Sequence, residues 1–297
     1  MKKSTWIVVA VVVVAIILLV IRNSGNGQAQ TIKIGVVAPL TGGASGYGVS
    51  LIKGIELAKQ DFAVNFPKAN NKYEVIFEDD GTNPAQSASA AQKLVNIDKV
   101  SAIITTTSGT GNAVKPIVTA AGIPHICICV DTRLTEGNKT NFIYLALPEI
   151  ESRAWVDEAV SRGLKKVAII AQNHPGFNLI IDDPTTKDFK TVIAKARVTN
   201  PDVYLAFAFP PSLDILGTTL KSQGIKNVSG LGTLAISADS GIFEGDWFTD
   251  VKLSDLSYKD RFEKVFPDIR FNARTAPEGY DAMNILVSAH ESKKDAS

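Results

Sequence analysis

The chain is poor in the residues that carry catalysis and metal chemistry. Its 297 residues include only two cysteines and three histidines. The histidines, 125, 174 and 290, are scattered, and neither a G-x-S-x-G elbow nor an H-E-x-x-H pair appears. Nothing therefore points to an activated serine or a zinc hydrolase. Cys127 and Cys129 stand two apart in a strand pattern, a spacing that seldom closes a disulfide. No second Cys/His pair accompanies them, so the reading is two buried thiols rather than a metal site. Charge of one sign is also missing: 31 Lys+Arg balance 30 Asp+Glu, leaving no net field to attract nucleic acid. Low-complexity tracts are absent. The acidic "EDDG" at 78–81 sits at a strand end before a helix, where carboxylates act as caps. These absences disfavour an enzyme; no catalytic residue, metal or cofactor is assigned.

What is present begins at the N-terminus. Lys2 and Lys3 precede sixteen apolar residues, Trp6 to Ile21, closed by Arg22 and the polar "NSGNGQAQ". This order is that of a secretory signal, and "GQA" before Gln30 offers a cleavage site. As a helix, the run spans about 24 Å, against about 30 Å of hydrocarbon that flanking Lys and Arg can help to bridge. Residues 1–30 are a signal peptide or a membrane anchor, and the balance leans to an uncleaved anchor. Export follows either way.

From Thr31 onward, strand and helix patterns alternate. "TIKIGVVAP", "YEVIFEDD", "VSAIITTT" and "PHICICV" are β-rich runs, separated by helical spacing over "VSLIKGIELAKQDFAVNF", "NPAQSASAAQKLVNI" and "GNAVKPIVTAAG". Asn83 caps the second helix with Pro84 at its first position, and Gly122 closes the third. A second series runs through "KKVAIIA", "PDVYLAFAF" and "KNVSGLGTL", with helices at about 254–266 and 277–291 near the end. This predicts an α/β fold of two lobes with parallel sheets. One place breaks the rhythm. Only Gln172 to Phe177 separate "VAIIA" from the strand-like "NLIID", too few for a parallel crossover. Either these strands pair antiparallel or a βα unit is missing.

Two strand ends are candidates for chemistry. "GVVAPLTGGASGYGVS" places Gly42, Gly43, Gly46 and Gly48 between a strand and a helix. A phosphate-binding P-loop needs Lys-Ser/Thr after its last glycine, but Val49-Ser50 follow here. Gly46-Tyr47-Gly48 begins a dinucleotide fingerprint, and Leu51 stands where the third glycine belongs. The loop suits a small anion such as a carboxylate, with Tyr47 over an apolar ligand or packed on its own loop. "TTTSGTGNA" (105–113) is a second polar strand end, where Ser108 or Thr110 is a ligand contact, a helix cap, or both.

These stretches, with "EDDGTNPAQSASAAQKLV", "LTEG", "PDVYLAFAFPPSLDILGTTLKSQGIK" and "EGYDA", resemble the branched-chain amino-acid type of periplasmic substrate-binding protein, in order over most of residues 31–290. The resemblance implies two Rossmann-like lobes of the type I periplasmic-binding-protein fold joined by three crossovers, closing on a ligand by hinge motion and delivering it to the membrane subunits of an ABC transporter. The lobes would span 31–146 plus 250–297, and 147–249. Ligand contacts carried over by position fall on Tyr47, Ser108, Gly109, Thr110, Cys129, Asp131, Thr132, Phe209 and Thr233. Three departures accompany it. No acidic residue stands at Gly232–Leu234 to meet a ligand ammonium; the stretch after Asn173 is short; and the last crossover of the second lobe is not reached. The expected function is an exported binding component of an importer for an amino acid or similar small carboxylate or amide. The alternative is a membrane-tethered sensor domain signalling to a partner.

Overall fold

A computed structural model describes residues 29–69, 71–171, 188–253 and 255–295. The apolar N-terminal run and "NLIID" lie outside the described residues. Two all-parallel sheets organise the chain. In the first, β1 (Thr31–Ala38), β2 (Lys72–Asp79), β3 (Ala102–Thr106), β4 (His125–Ile128) and β5 (Asn141–Ile143) lie in the order β2-β1-β3-β4-β5. Helices α1 (Ser45–Gln60), α2 (Pro84–Lys93) and α3 (Ser108–Ala121) make the crossovers. After α4 (Pro148–Ser161) comes the second sheet, whose order is sequential: β6 (Val167–Ala171), β7 (Val203–Phe207), β8 (Val228–Gly230) and β9 (Trp247–Phe248). Helices α5 (Lys190–Arg197) and α6 (Ser212–Ser222) belong to it, and α7 (Leu256–Val265) and α8 (Ala276–Asp295) follow.

Each sheet is buried between helices, and the strands are correspondingly apolar. One core joins Ile34, Val36, Ile104 and Ile126 to Leu51 and Ile55 of α1 and to Met283 and Val287 of α8. On the opposite face, Val37 and Ile103 meet Leu94, Val114 and Val118. A separate core holds the second sheet, from Ile170 and Ala206 to Leu213, Leu216 and Leu220 of α6. The last helix thus returns to the first sheet. Among the described residues the chain passes between the sheets twice, after β5 and after β9, against the three passages the resemblance implies.

Most local readings hold. Asn83 caps α2 by accepting from the Ala85 and Gln86 N–H groups, and Gly122 ends α3 with φ 66°. Four readings change. The glycine segment is a loop only in its first half: Gly42 and Gly43 precede α1, which starts at Ser45, so Gly46 and Gly48 lie in its first turn. Glycine is a poor helix former, but a Cβ at position 48 would stand 2.0 Å from the Pro39 carbonyl oxygen. Second, Ser108 and Thr110 do not cap α3. Thr107 does, accepting from the Thr110 N–H at 3.3 Å. Third, β5 and β9, of three and two residues, carry no periodicity from which to read them. Fourth, Cys127 and Cys129 form a disulfide rather than two thiols. β4 ends at Ile128, and the chain bends there, bringing the Cα atoms to 5.3 Å; two strand residues would be about 6.6 Å apart.

Candidate ligand-binding cleft

The order of the first sheet creates the site. β1 lies between β2 and β3, so the crossovers leave β1 and β3 in opposite directions. Such a reversal opens a crevice at the carboxyl ends of the strands. Here the ends of β1 and β3 lead to Tyr47 and Ser108, and the carboxyl ends of β7 and β8 face them from the second sheet. Between the two lies a cleft of about 640 Å3, a size suited to a small organic ligand.

Seven of the nine residues singled out by sequence line this cleft: Tyr47, Ser108, Cys129, Asp131, Thr132, Phe209 and Thr233. Gly109 and Thr110 do not. The Thr110 hydroxyl turns inward to the buried Asp80 carboxylate, which also accepts from Ser87 Oγ at 2.7 Å. Asp79 accepts from the Leu40, Thr41 and Gly81 N–H groups. The acidic "EDDG" therefore braces the two loops, and no cluster fit for a metal occurs among the described residues. Thr107, beside Ser108, is held at φ 69°, a region that costs a non-glycine residue of order 1–3 kcal/mol. The hydroxyl bridge from Thr107 to Thr110 at 3.1 Å and on to Asp80 stabilises that turn and presents Ser108 at the cleft edge.

Aromatic rings form the walls. Tyr47 of α1 meets Phe209 edge-on across the cleft, with ring centroids 6.0 Å apart. Burial pushes the Tyr47 phenol above its ordinary pKa, so it is a neutral hydrogen-bonding group. The contact is backed by a close backbone approach: a Cβ on Gly43 would stand 2.1 Å from the Pro210 carbonyl oxygen. Trp155 on α4 donates from Nε1 to Ser229 Oγ at 2.8 Å and stacks on Trp247. Phe207, Leu205 and Ile169 extend the apolar wall along the second sheet.

Most of the charge in the cleft is paired. Asp131 accepts from Arg133 Nε and Nη2 at 2.8 and 2.7 Å and from Asn112 Nδ2 at 2.8 Å. The Arg133 hydrogen bonds hold its carboxyl down at about 2. Glu151 of α4 accepts the Gly232 N–H at 2.9 Å and pairs with Arg274, whose Nε lies 2.6 Å from Asp250. Burial alone would lower the Arg274 pKa, but Asp250 and Glu151 outweigh it and raise the value. Sequence reasoning missed Glu151, Arg274 and Trp155. Their only signal is a charged or aromatic residue in an otherwise ordinary segment, and tertiary folding alone brings them to Gly232.

The family model described as "Periplasmic binding protein" matches residues 31–185, just over half of the chain. The chain belongs to this family of solute-binding proteins, whose members work outside the cytoplasm. No curated protein sequence matches it. Among solved structures it is similar to the leucine-binding protein LivK of Thermotoga maritima, at 20% identity and a TM-score of 0.76, over 88% of this chain and 83% of that one. The LivJ substrate-binding protein of Streptococcus pneumoniae, in complex with isoleucine, gives 20% identity and 0.74 over 87% and 83%. A solute-binding protein of an ABC transporter from Rhodopseudomonas palustris, in complex with 4-hydroxybenzoate, gives 19% and 0.73 over 88% and 81%. These likenesses establish the fold, α/β with two lobes and parallel sheets. No helix among the described residues is long and apolar enough to cross a membrane.

Proposed function

We propose that the chain is the solute-binding component of an ABC importer, capturing an amino acid or a related small carboxylate or amide between two lobes, 31–146 plus 250–297 and 147–249. The observation that carries this reading is the cleft itself. Polar groups of Ser108, Thr132 and Thr233 converge from three strand ends on one space, walled by the Tyr47 and Phe209 rings. Ser108 begins α3, and the unpaired N–H groups of a helix start favour an anionic ligand head. The apolar body would lie against the aromatic walls, and Thr233, whose buried hydroxyl lacks a hydrogen-bond partner, would complete the head contacts. Relatives of the same fold hold isoleucine or hydroxybenzoate, which supports a carboxylate-bearing ligand. The lobes would then dock on the membrane subunits of the importer, held near them by residues 6–21.

The experiment is a thermal-shift screen of the chain with amino acids, amides and short carboxylates, since a ligand that binds only the folded state raises its melting temperature. The bound compound should be recovered chemically unchanged. Ser108→Ala should weaken binding of the hit by roughly 1–3 kcal/mol, the worth of a hydrogen bond to a charged group. A screen with no stabilising compound refutes the capture reading, and unchanged affinity by calorimetry refutes the role of Ser108.

A further inference from the structure

We infer that the cleft takes a medium-chain aliphatic carboxylate whose hydrocarbon tail lies along a bare face of the second sheet; this rests on the capture reading above and names its ligand class. The two sheets of the chain follow one plan. β6, β7, β8 and β9 repeat the order of β1, β3, β4 and β5, and α5 and α6 cover one face as α2 and α3 do in the first sheet. The other faces differ. In the first sheet both α1 and α8 pack there, and Ile34 and Val36 of β1 are 1% and 0% exposed. In the second sheet α4 packs there, through Trp155 and Ala159. Among the described residues no helix stands over β6 as α1 stands over β1, and Val167 and Ile169 are 39% and 38% exposed. Val156 of α4, on the same cavity wall as Ile169, is 50% exposed.

This bare face is continuous with the ligand cleft. Trp155, Val156, Ile169, Leu205 and Phe207 line the same cavity as Tyr47 and Ser108. Ile169 pairs with Leu205 across β6 and β7, two residues before Phe207, so the cavity runs about 7 Å back from the strand end along the sheet. These five side chains are apolar but for one atom, and that atom, Trp155 Nε1, already donates to Ser229 Oγ at 2.8 Å. Glu149 and Ser152, the polar residues of α4 on the cavity rim, are exposed to water. An ammonium or hydroxyl carried into this arm would lose its hydration without gaining a partner. A hydrocarbon chain meets no such cost, and it removes exposed valine and isoleucine surface from water. The cavity volume, about 640 Å3, exceeds what a leucine-sized ligand fills and suits a longer one. The carboxylate head keeps its place at Ser108 and the start of α3, and the tail passes Phe207 onto the bare face.

The test is calorimetric titration of the full chain, held in an amphipathic polymer, with butanoate, hexanoate, octanoate and decanoate, each corrected by a protein-free titration. Affinity should rise roughly fourfold per added methylene, the worth of a buried CH2, at least as far as octanoate. Ile169→Trp fills the arm and Ile169→Asp makes it polar, both at an exposed position that the fold tolerates. Each should lower the octanoate-to-butanoate affinity ratio by about tenfold or more. A wild type whose affinity stays flat from butanoate to decanoate overturns the inference and leaves the capture reading standing. So does an unchanged ratio in a folded Ile169→Trp chain, or a chain that binds amino acids and none of the four acids. A concentration-dependent dimer in sedimentation that Ile169→Asp abolishes assigns the bare face to a second copy and overturns the inference likewise. If none of the acids binds, while amino acids and amides also fail in the thermal screen, the capture reading itself falls.

Discussion

His125 offers the most direct test of how the first lobe is held together, because its chemistry is fixed by two neighbours. The ring is fully buried in β4. Nδ1 lies 2.6 Å from Asn141 Oδ1 on β5 and donates to it, while Nε2 lies 2.9 Å from the Thr105 hydroxyl on β3 and accepts from it. Both nitrogens are satisfied in the neutral ring, and protonation would oblige the Thr105 hydroxyl to turn from donor to acceptor. Burial pushes the pKa down from 6.5 to about 4, against the opposing pull of Asn141. The folded value lies below the unfolded one, so the unfolded chain takes up the proton first and stability falls as pH drops. Linkage gives a loss of about 2 kcal/mol by pH 5 and about 3 kcal/mol by pH 4, relative to neutral pH. The assay is urea unfolding of wild type and His125→Gln between pH 4 and pH 7.5. The variant should be less stable at neutral pH, since it loses the fitted ring, but its stability should fall less steeply with acid. The free-energy difference between the two chains should shrink by about 2 kcal/mol between pH 7 and pH 5. A difference that stays constant over that interval refutes the assignment of a buried neutral histidine.

Three further perturbations bear on other parts of the argument. Gly43→Ala adds a methyl that would stand 2.1 Å from the Pro210 carbonyl; overpacking of this kind costs about 1–3 kcal/mol. The cost falls on the contact between lobes, so small-angle scattering should show a more open chain with an almost unchanged melting temperature. Glu278, at the start of α8, has a buried Oε2 without a hydrogen-bond partner, and burial pushes its carboxyl up to about 7. Its folded value is raised, so its stabilising effect is complete below about pH 4.5 and lost as pH rises through 7. Glu278→Gln should therefore gain up to about 3 kcal/mol over wild type at pH 8 and little at pH 4.5, read by chemical denaturation. Finally, unreduced protein in denaturant should yield no titratable thiol; two thiols would restore the reading of Cys127 and Cys129 as unpaired.

Legibility in the sequence followed the range of the interactions concerned. Alternating apolar runs and helical spacing are local, and so β1 to β4, β6 to β8 and the helices between them could be read directly. The caps at Asn83 and Gly122 were equally local. What failed had a cause beyond its own segment. β5 is a strand because His125, Ile126 and Cys127 of β4 pair with Asn141, Phe142 and Ile143, not because "NFI" has a pattern. The glycine-rich turn reads as a loop by propensity, but its second half is the first turn of α1, where glycine at 48 allows a close approach to the Pro39 carbonyl. The Cys127–Cys129 disulfide depends on where β4 stops, a boundary that periodicity does not fix.

The same division runs through the cleft, and it bears on how its selectivity should be sought. The strand-end residues Tyr47 and Ser108 are legible because each follows its own strand, whereas Thr132 and Thr233 come from the family resemblance. The charged groups beside them are not legible. Glu151 and Arg274 lie 123 positions apart and meet only because α4 leads into the second sheet while the segment before α8 returns to the first. Read along the chain, Gly232 marks a missing acid; in three dimensions an acid is present, from α4, paired with an arginine that Asp250 holds from its other side. The absence of a carboxylate at 232 is thus no loss of a recognition group alone. It is the space that lets Arg274 in, and a side chain restored at 232 would have to evict a doubly paired guanidinium before it could touch a ligand.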